Sequence, residues 1–281
     1  SAQQWKWTRS LPLGLIDRLF SPAPASARIA WLATHEYAHR GLHGPGLHGA
    51  GTPENSPAAF AAAIARGMGI ECDVQRSGDG QAMVFHDWEL DRLTGQSGPV
   101  AGLNAAALAQ VALTGGSDCI PSLHQVLELV AGRVPILIEI KSRRGYNVAA
   151  SCLAVRRVLE GYRGPHAVMS FDPRVGKWFA EHSPRTVRGL VMSEEDDRGL
   201  VGRLRRHLWL WAARPDFLAY DVRDLPSRFA GRQRARGIPV LTWTVRSPEL
   251  RARAAEYADA PIAEGAGVES QPAAHGEPVE P

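Results

Sequence analysis

The chain has 281 residues, of which 44% are hydrophobic and 22% charged, and its formal net charge at pH 7 is +3. This composition predicts an ordinary folded protein, built as one α/β barrel or as two smaller domains. The charge is too small to favour a nucleic-acid partner, although it is compatible with an anionic substrate. No uninterrupted apolar run is long enough to span a bilayer, so we expect no transmembrane segment.

The cysteines and the first residues bear on the cellular compartment. Cys72, Cys119 and Cys152 are an odd number at no metal-binding spacing, so they predict no disulfide framework and favour a reducing compartment. The first residues lack the pattern of a secretory signal. We therefore expect a cytoplasmic protein, with the periplasm as the alternative.

Residues 1–30 mix tryptophan, basic residues and an apolar run. We expect them to form a helical extension that packs across the fold. Because interfacial segments have the same composition, a weak contact with a membrane surface is the alternative.

Short β-rich runs then alternate with helical patterns, which predicts βα units and a parallel sheet. Strands are expected at 33–39, 69–74, 136–141, 167–171, 187–191, 217–222, 239–245 and 260–265. Helices are expected at 56–66, 122–131, 147–160, 173–182, 200–211, 226–236 and 248–257. Ser56-Pro57 and Ser247-Pro248 are good helix starts. Eight βα units predict a single closed (β/α)8 TIM barrel over residues 31–265, with its active site at the C-terminal ends of the strands.

The segment after the second strand does not fit a βα unit. The linker "QRSGDGQ" is too short for a parallel crossover, so "AMVFHD" must return as an antiparallel hairpin, with Asp79-Gly80 at its turn. We expect a small irregular insertion over residues 87–121, and the composition of residues 266–281 predicts a flexible tail. The hairpin would bring His86 back to the mouth of the barrel.

Two strands carry carboxylates on the same side. Alternation along a strand places Glu71 and Asp73 on one face of the second strand, and Glu139 on a face of the third with Lys141. Three converging carboxylates repel one another, and a divalent cation would resolve the repulsion. An all-oxygen ligand set favours Mg²⁺ or Ca²⁺ over Zn²⁺. The alternative is a network of salt bridges with Lys141, Arg40 and Arg76.

The motif "AHRG" ends the first strand with His39 and Arg40, and His86 returns to the same rim. Two imidazoles beside a cation suit general-base and general-acid roles. Arg40 offers a bidentate fork for a phosphate, and Lys141 offers a point charge. Such a set is typical of a phosphodiester-cleaving site rather than of a sugar or hydride site.

These motifs resemble the glycerophosphodiester phosphodiesterase family. The resemblance rests on "AHRG", "PENSPAAFAAAIARG", "IECDVQRSGDGQAMVFHDWELDRLTG", "IPSLHQVL" and "ILIEIK", followed by "MSFDP", "LTWTV" and "YADAPIAEG". It covers residues 34–265 and implies metal-dependent hydrolysis of a small-molecule glycerophosphodiester to glycerol 3-phosphate and an alcohol. By position it implies His39 and His86 as the acid–base pair, Glu71, Asp73 and Glu139 as metal ligands, Arg40 and Lys141 as phosphate binders, Glu54 and Asn55 as rim residues that orient the first histidine or the metal shell, and Phe171 and Trp243 as walls of the substrate site.

The chain departs from the family pattern in its loops. A long loop, "RGLHGPGLHGAGT", precedes Pro53, and we expect its His43 and His48 to be solvated rather than extra ligands. "LTG" stands where paired threonines are common, and Ala263-Glu264 stands where a Thr-Asp pair is usual. These departures bear on the substrate rather than on the reaction.

Two other functions compete with this interpretation. The first is a lysophospholipase D or phospholipase C-like activity on lipid phosphodiesters, with a cyclic phosphate if the glycerol 2-hydroxyl is the nucleophile. The second is a catalytically idle barrel, which should have lost a histidine or a metal carboxylate, whereas both histidines and all three carboxylates are present. The head group, and whether the protein is a monomer or a homodimer, are left open by the sequence.

Two basic stretches lie in the second half of the chain. "RLRRHLWLWAAR" and "RQRARG" are expected to be solvated faces of outer helices, with Trp209 and Trp211 packed against the barrel and a neighbouring segment or subunit.

Overall fold

The computed structural model describes residues 11–44, 51–195 and 199–268. Its sheet is a closed barrel of parallel strands with one antiparallel strand added. The strands are β1 (Tyr37–Ala38), β2 (Gly69–Arg76), β3 (Ala82–Val84), β4 (Ile136–Ile140), β5 (His166–Ser170), β6 (Val187–Met192), β7 (Phe217–Asp221), β8 (Val240–Val245) and β9 (Ala260–Ala263). The barrel order is β1-β9-β8-β7-β6-β5-β4-β2, and pairing of β1 with β2 closes it, which confirms the predicted fold.

The helices surround this barrel. They are α1 (Leu11–Phe20), α2 (Ser26–Ile29), α3 (Pro57–Ala65), α4 (Ala105–Leu108), α5 (Leu123–Val130), α6 (Val148–Leu159), α7 (Pro173–His182), α8 (Leu200–Ala213), α9 (Arg228–Ala235) and α10 (Pro248–Tyr257). Both predicted helix starts are present, because the hydroxyl of Ser56 accepts from the N–H of Ala59 and that of Ser247 from the N–H of Leu250.

The predicted hairpin after the second strand is also confirmed. β3 runs antiparallel to β2, with Val84 opposite Val74. The predicted first strand, 33–39, is too long, however, because Ala33 is the last residue of a 3-10 helix and only Tyr37–Ala38 pair in the sheet. The segment 87–121 is less irregular than expected: it contains α4 and a 3-10 helix at Val100–Gly102, and its apolar side chains form a small core of their own.

Hydrophobic clusters on both sides of the strands hold the barrel together. Alternate strand residues point into it, where Leu137, Phe217 and Leu241 belong to one buried cluster. The outward residues of β2 and β4, such as Ile70 and Ile138, are buried against the helices. Strands covered on both sides are typical of a parallel barrel, and they leave the C-terminal strand ends as the place for polar chemistry.

Helix α1 is docked on the outside of α8 and α9. Asp17 is buried and accepts hydrogen bonds from His207 Nδ1 at 2.7 Å, Trp211 Nε1 at 2.8 Å and Gln233 Nε2 at 3.0 Å. The rings of Phe20 and Trp211 lie 5.8 Å apart. Trp211 thus packs on a neighbouring segment of the same chain. Within the described ranges, no helix has both the length and the apolar character needed to cross a bilayer.

Candidate active site

A cavity of about 180 Å³ opens at the C-terminal ends of the strands. It is lined by all of the predicted site residues except Glu54 and Asn55, which lie behind it. The structure therefore brings together side chains from the first half of the chain and from the β5 and β8 strand ends.

Three carboxylates meet on neighbouring strands at this cavity. Asp73 on β2 lies opposite Glu139 on β4, and Glu71 lies two residues before Asp73 on the same face. All three side chains are buried, and one oxygen from each lies within 4.8 Å of the others. This spacing would allow a single cation to contact all three residues.

The electrostatics of this cluster are unbalanced at Glu71. Burial raises the pKa of Glu71 well above its ordinary value, and the charges of Asp73 and Glu139 raise it further against the pull of Arg40. Burial would also raise the pKa of Asp73, but Lys141 and Arg40 outweigh it and bring the pKa to about 2. Hard oxygen donors that repel one another are a suitable ligand set for a divalent cation.

Basic side chains also contact these carboxylates. Lys141 Nζ lies 2.9 Å from Glu139 and 3.4 Å from Asp73, and Arg40 Nε lies 3.2 Å from Asp73. The salt bridges considered as the alternative to a metal site are thus present for Lys141 and Arg40. Glu71, in contrast, accepts a hydrogen bond from the backbone N–H of Arg40 at 3.0 Å. The ion pairs therefore position the basic groups without balancing the whole cluster.

The two predicted catalytic histidines are each held by a carboxylate. His39 Nδ1 lies 2.5 Å from Glu264, and His86 Nδ1 lies 2.7 Å from Asp87. A carboxylate at Nδ1 favours a proton on that nitrogen, which leaves Nε2 free to exchange a proton with a substrate. Burial lowers the pKa of His39, and the hydrogen bond to Glu264 opposes that effect.

Glu264 is a site residue that sequence reasoning did not assign to a histidine. Besides His39, it contacts Arg246 Nε at 2.5 Å and His43 Nε2 at 3.4 Å. Burial would raise the pKa of Glu264, but its hydrogen bonds with His39, His43 and Arg246 hold it well below its ordinary value. We expected His43 to be solvated, but its side chain is only 20% exposed. His48 lies outside the described residues.

A sequence signal for Glu264 did exist. In a closed barrel the last strand lies beside the first, and Ala263 of β9 pairs with Ala38 of β1. The next residue on each strand is then Glu264 and His39, at the same end of adjacent strands. From the sequence we related Glu264 to substrate choice instead, because Ala263-Glu264 stands where a Thr-Asp pair is usual in the family that the chain resembles.

Glu54 and Asn55 support the site from behind. Asn55 Nδ2 donates to Asp73 at 3.0 Å. Glu54 accepts from Arg40 at 2.8 Å and from Arg92 at 2.7 Å. Arg92 was not predicted, and it also donates to Asp87, the partner of His86, at 2.5 Å. A continuous series of ion pairs therefore connects the phosphate-binding candidate Arg40 with the residue that holds His86.

The remaining wall of the cavity is aromatic. Phe171 and Trp243 meet edge to face with ring centroids 5.3 Å apart. Trp243 Nε1 donates to the carbonyl of Ala219 at 2.9 Å, which fixes the indole, whereas Phe171 is 42% exposed at the mouth. Arg246, which also lines the cavity, adds a cation on this side that the sequence interpretation missed.

Sequence comparisons point to one family. The model of the glycerophosphoryl diester phosphodiesterase family matches residues 39–269. A glycerophosphodiester phosphodiesterase of Bacillus altitudinis is 36% identical over 115 residues, which is 38% of this chain and 44% of that protein. Glycerophosphodiester phosphodiesterase 1 of Rattus norvegicus is 30% identical over 153 residues, which is 51% of this chain and 46% of that protein. The matches thus span under half the length of these curated relatives.

Solved structures agree with the fold. The glycerophosphodiester phosphodiesterase of Thermotoga maritima has a TM-score of 0.64 and 26% identity, covering 81% of this chain and 92% of that one. An Oleispira antarctica phosphodiesterase, solved in complex with the product sn-glycerol-3-phosphate, has a TM-score of 0.70 and 23% identity, covering 82% and 92%. With the family model matching most of its length, the chain belongs to the glycerophosphoryl diester phosphodiesterase family.

Proposed function

We propose that this protein hydrolyses glycerophosphodiesters to glycerol 3-phosphate and an alcohol, with the help of Mg²⁺ or Ca²⁺. The observation that carries the proposal is the convergence, in one cavity, of three buried carboxylates, two histidines held by carboxylates, and three cationic side chains. The product named for the Oleispira antarctica phosphodiesterase is of the same class.

Glu71, Asp73 and Glu139 would hold the cation. When bound, it would neutralise the phosphate and the charge that builds on it in the transition state. The raised pKa of Glu71 supports this assignment, because the cluster lacks enough positive charge of its own. Arg40 and Lys141, held at the rim by Glu54 and Glu139, would bind non-bridging phosphate oxygens.

His39 and His86 would divide the proton transfers. Burial lowers the pKa of His39 and so favours its neutral form, which can take a proton from the nucleophile at Nε2. His86 also faces an open groove of about 360 Å³, lined in addition by Trp88 and Arg92. An alcohol that receives a proton from His86 could leave through this groove. His39 is therefore the proposed base and His86 the proposed acid.

A second candidate is a lysophospholipase D activity, or a phospholipase C-like one, on lipid phosphodiesters. The observation that favours it is the exposed ring of Phe171 beside Trp243, because an acyl chain at the mouth would cover it. The nucleophile in either case is water or the neighbouring glycerol hydroxyl. Attack by the hydroxyl would expel the alcohol and form a cyclic phosphate first.

The test is turnover by metal-stripped protein reloaded with Mg²⁺ or Ca²⁺. Glycerophosphocholine, glycerophosphoethanolamine and lysophosphatidylcholine serve as substrates, and mass spectra identify the products. His39→Ala and Glu71→Ala are compared with Glu181→Gln, which changes an exposed glutamate on α7. Metal-dependent release of glycerol 3-phosphate, lost in the first two variants and kept in the third, supports the proposal. Turnover of the lysolipid alone supports the second candidate, and no turnover with either metal overturns both.

A further inference from the structure

Helix α8 buries two polar residues and exposes four large apolar ones. Arg206 is buried and pairs with Glu194 at 3.3 Å, and His207 is buried against Asp17. The outer side instead carries four large apolar side chains that are about half exposed or more: Leu200, Val201, Leu204 and Leu208, with Leu200 at 79% and Val201 at 80%. Their spacing of about one helical turn makes a continuous stripe. Large apolar groups clustered in water are unusual and mark an interaction surface.

Helix α1 extends this apolar surface. It lies alongside α8, and it exposes Leu15, Leu19 and Phe20, with Leu19 at 75%. Considered alone, α1 would be interpreted as a helix that packs on the barrel and α8 as a solvated outer helix. Because the two helices are neighbours, we consider their exposed apolar residues together as the α1–α8 face, defined by Leu15, Leu19, Phe20, Leu200, Val201, Leu204 and Leu208.

The rim of the α1–α8 face is basic. Arg18 on α1 and Arg203 and Arg205 on α8 are exposed among the apolar side chains. Arg236 follows α9 and lies near Arg18. Burial lowers the pKa of Arg236, and the charge of Arg18 lowers it further. In the same region Glu194 and Glu195 are paired with Arg206 and Arg223, while Asp196 and Asp197 lie outside the described residues.

We propose that the α1–α8 face docks on the surface of an anionic phospholipid bilayer. An apolar stripe flanked by arginines is complementary to acyl chains beneath anionic head groups. The residues before α1 continue the same chemistry in sequence, with Trp5, Lys6, Trp7 and Arg9 and no acidic residue. A second copy of the chain fits less well, because a symmetric contact through this face would bring one arginine rim against the other.

The position of the face relates it to the cavity. α8 follows β6, so Leu200 and Val201 lie at the end of the barrel where the mouth opens. Phe171, the exposed ring of the mouth, follows β5, which pairs with β6. Docking led by the start of α8 would therefore bring this sector of the mouth towards the bilayer.

The experiment is cosedimentation of the full chain with vesicles. Phosphatidylcholine vesicles are compared with vesicles that also contain phosphatidylglycerol. We expect binding to the anionic vesicles alone, weakened by salt. The substitutions Arg18→Gln and Arg203→Gln should weaken it by about fivefold for each arginine. Leu204→Ser with Leu208→Ser should weaken it by about tenfold.

The matched control is the pair Arg156→Gln and Arg157→Gln, which removes two exposed arginines from α6. It should bind like the unsubstituted protein, and thermal unfolding shows that every variant is folded. Equal loss in the α6 control, or no pelleting of the original chain with anionic vesicles, overturns the proposal. So does a dimer in analytical ultracentrifugation that becomes a monomer when Leu204 and Leu208 are changed, since the occupant is then a second copy.

Discussion

Glu264 offers a sharp test of the proposed chemistry, because it touches His39 but is not expected to touch the substrate phosphate. Its carboxylate lies 2.5 Å from His39 Nδ1, on a side chain that is only 18% exposed. Glu264→Gln keeps the size of the side chain and a hydrogen-bonding oxygen, but it removes the negative charge. If His39 is the base, it becomes positively charged as it takes the proton. The variant then lacks the negative charge of Glu264 that stabilises this positive charge in the transition state.

The size of the effect follows from that geometry. Unit charges centred roughly 4 Å apart interact by about 4 kcal/mol at the effective dielectric constant near a protein surface. A neutral hydrogen bond retains about 1 kcal/mol of this. The remaining loss of about 3 kcal/mol corresponds to a decrease in kcat of about 100-fold. Arg246 remains close by after the substitution, so its charge adds to the effect.

The pH profile separates this role from a purely structural one. His39 must be neutral to act as a base, so activity falls as the pH drops below its pKa. Glu264 favours the protonated form, and its neutralisation should lower the pKa of His39 further. We therefore expect the acidic limb of kcat/KM to move to lower pH, measured on a soluble diester at saturating metal. Glu181→Gln is the control, and a limb that stays in place with kcat within a few-fold of the original would refute the reasoning.

Three further predictions concern stability and metal binding. Asp17→Ala should lower the free energy of unfolding by about 3–5 kcal/mol in urea titrations, because three donors lose their acceptor, two of them on the buried residues His207 and Gln233. Burial would raise the pKa of Asp17, but these hydrogen bonds outweigh burial and lower that pKa. The stability that Asp17 contributes should therefore be present above its pKa in the unfolded chain and be lost as the pH falls through its pKa in the folded protein. A variant that is as sensitive to acid as the original protein would contradict this. Gly41→Ala should cost about 1–3 kcal/mol in thermal unfolding, since φ is +78° and the added Cβ would lie 2.8 Å from Ala59 atoms; an unchanged Tm would show that the turn after Arg40 can adapt. Glu139→Gln should weaken Mg²⁺ binding at least about tenfold in calorimetry, and unchanged affinity would remove it from the ligand set.

The fold could be predicted because its signals are local and repeated. Strand and helix patterns recur around the barrel, and the short linker after β2 is compatible only with a hairpin. The first strand was extended too far because Thr34, His35 and Glu36 lie between a 3-10 helix that ends at Ala33 and the two paired residues Tyr37 and Ala38. So short a strand gives too few residues for the pattern to fix its ends.

The sequence was enough to predict those parts of the candidate site whose residues lie close together in one motif. Glu71, Asp73 and His86 lie within one hairpin, so alternation and the turn are enough to bring them to the same rim. Arg92 gave no comparable signal, because an arginine in an irregular segment is usually a solvated charge. Its role depends on Asp87 and Glu54 meeting in space, and that contact between separate loops is not visible in either segment alone.

The two histidines differ in what holds them, and this difference has a physical consequence. The partner of His86 is the next residue, so that pair depends on the local conformation of one loop. The partner of His39 lies 225 residues away, directly after the last strand, and it is brought to His39 only when β9 pairs with β1. The geometry of the proposed base is therefore coupled to closure of the barrel, whereas that of the proposed acid is not. A substitution that loosens the β1–β9 seam should accordingly impair proton removal from the nucleophile before it disturbs protonation of the leaving group.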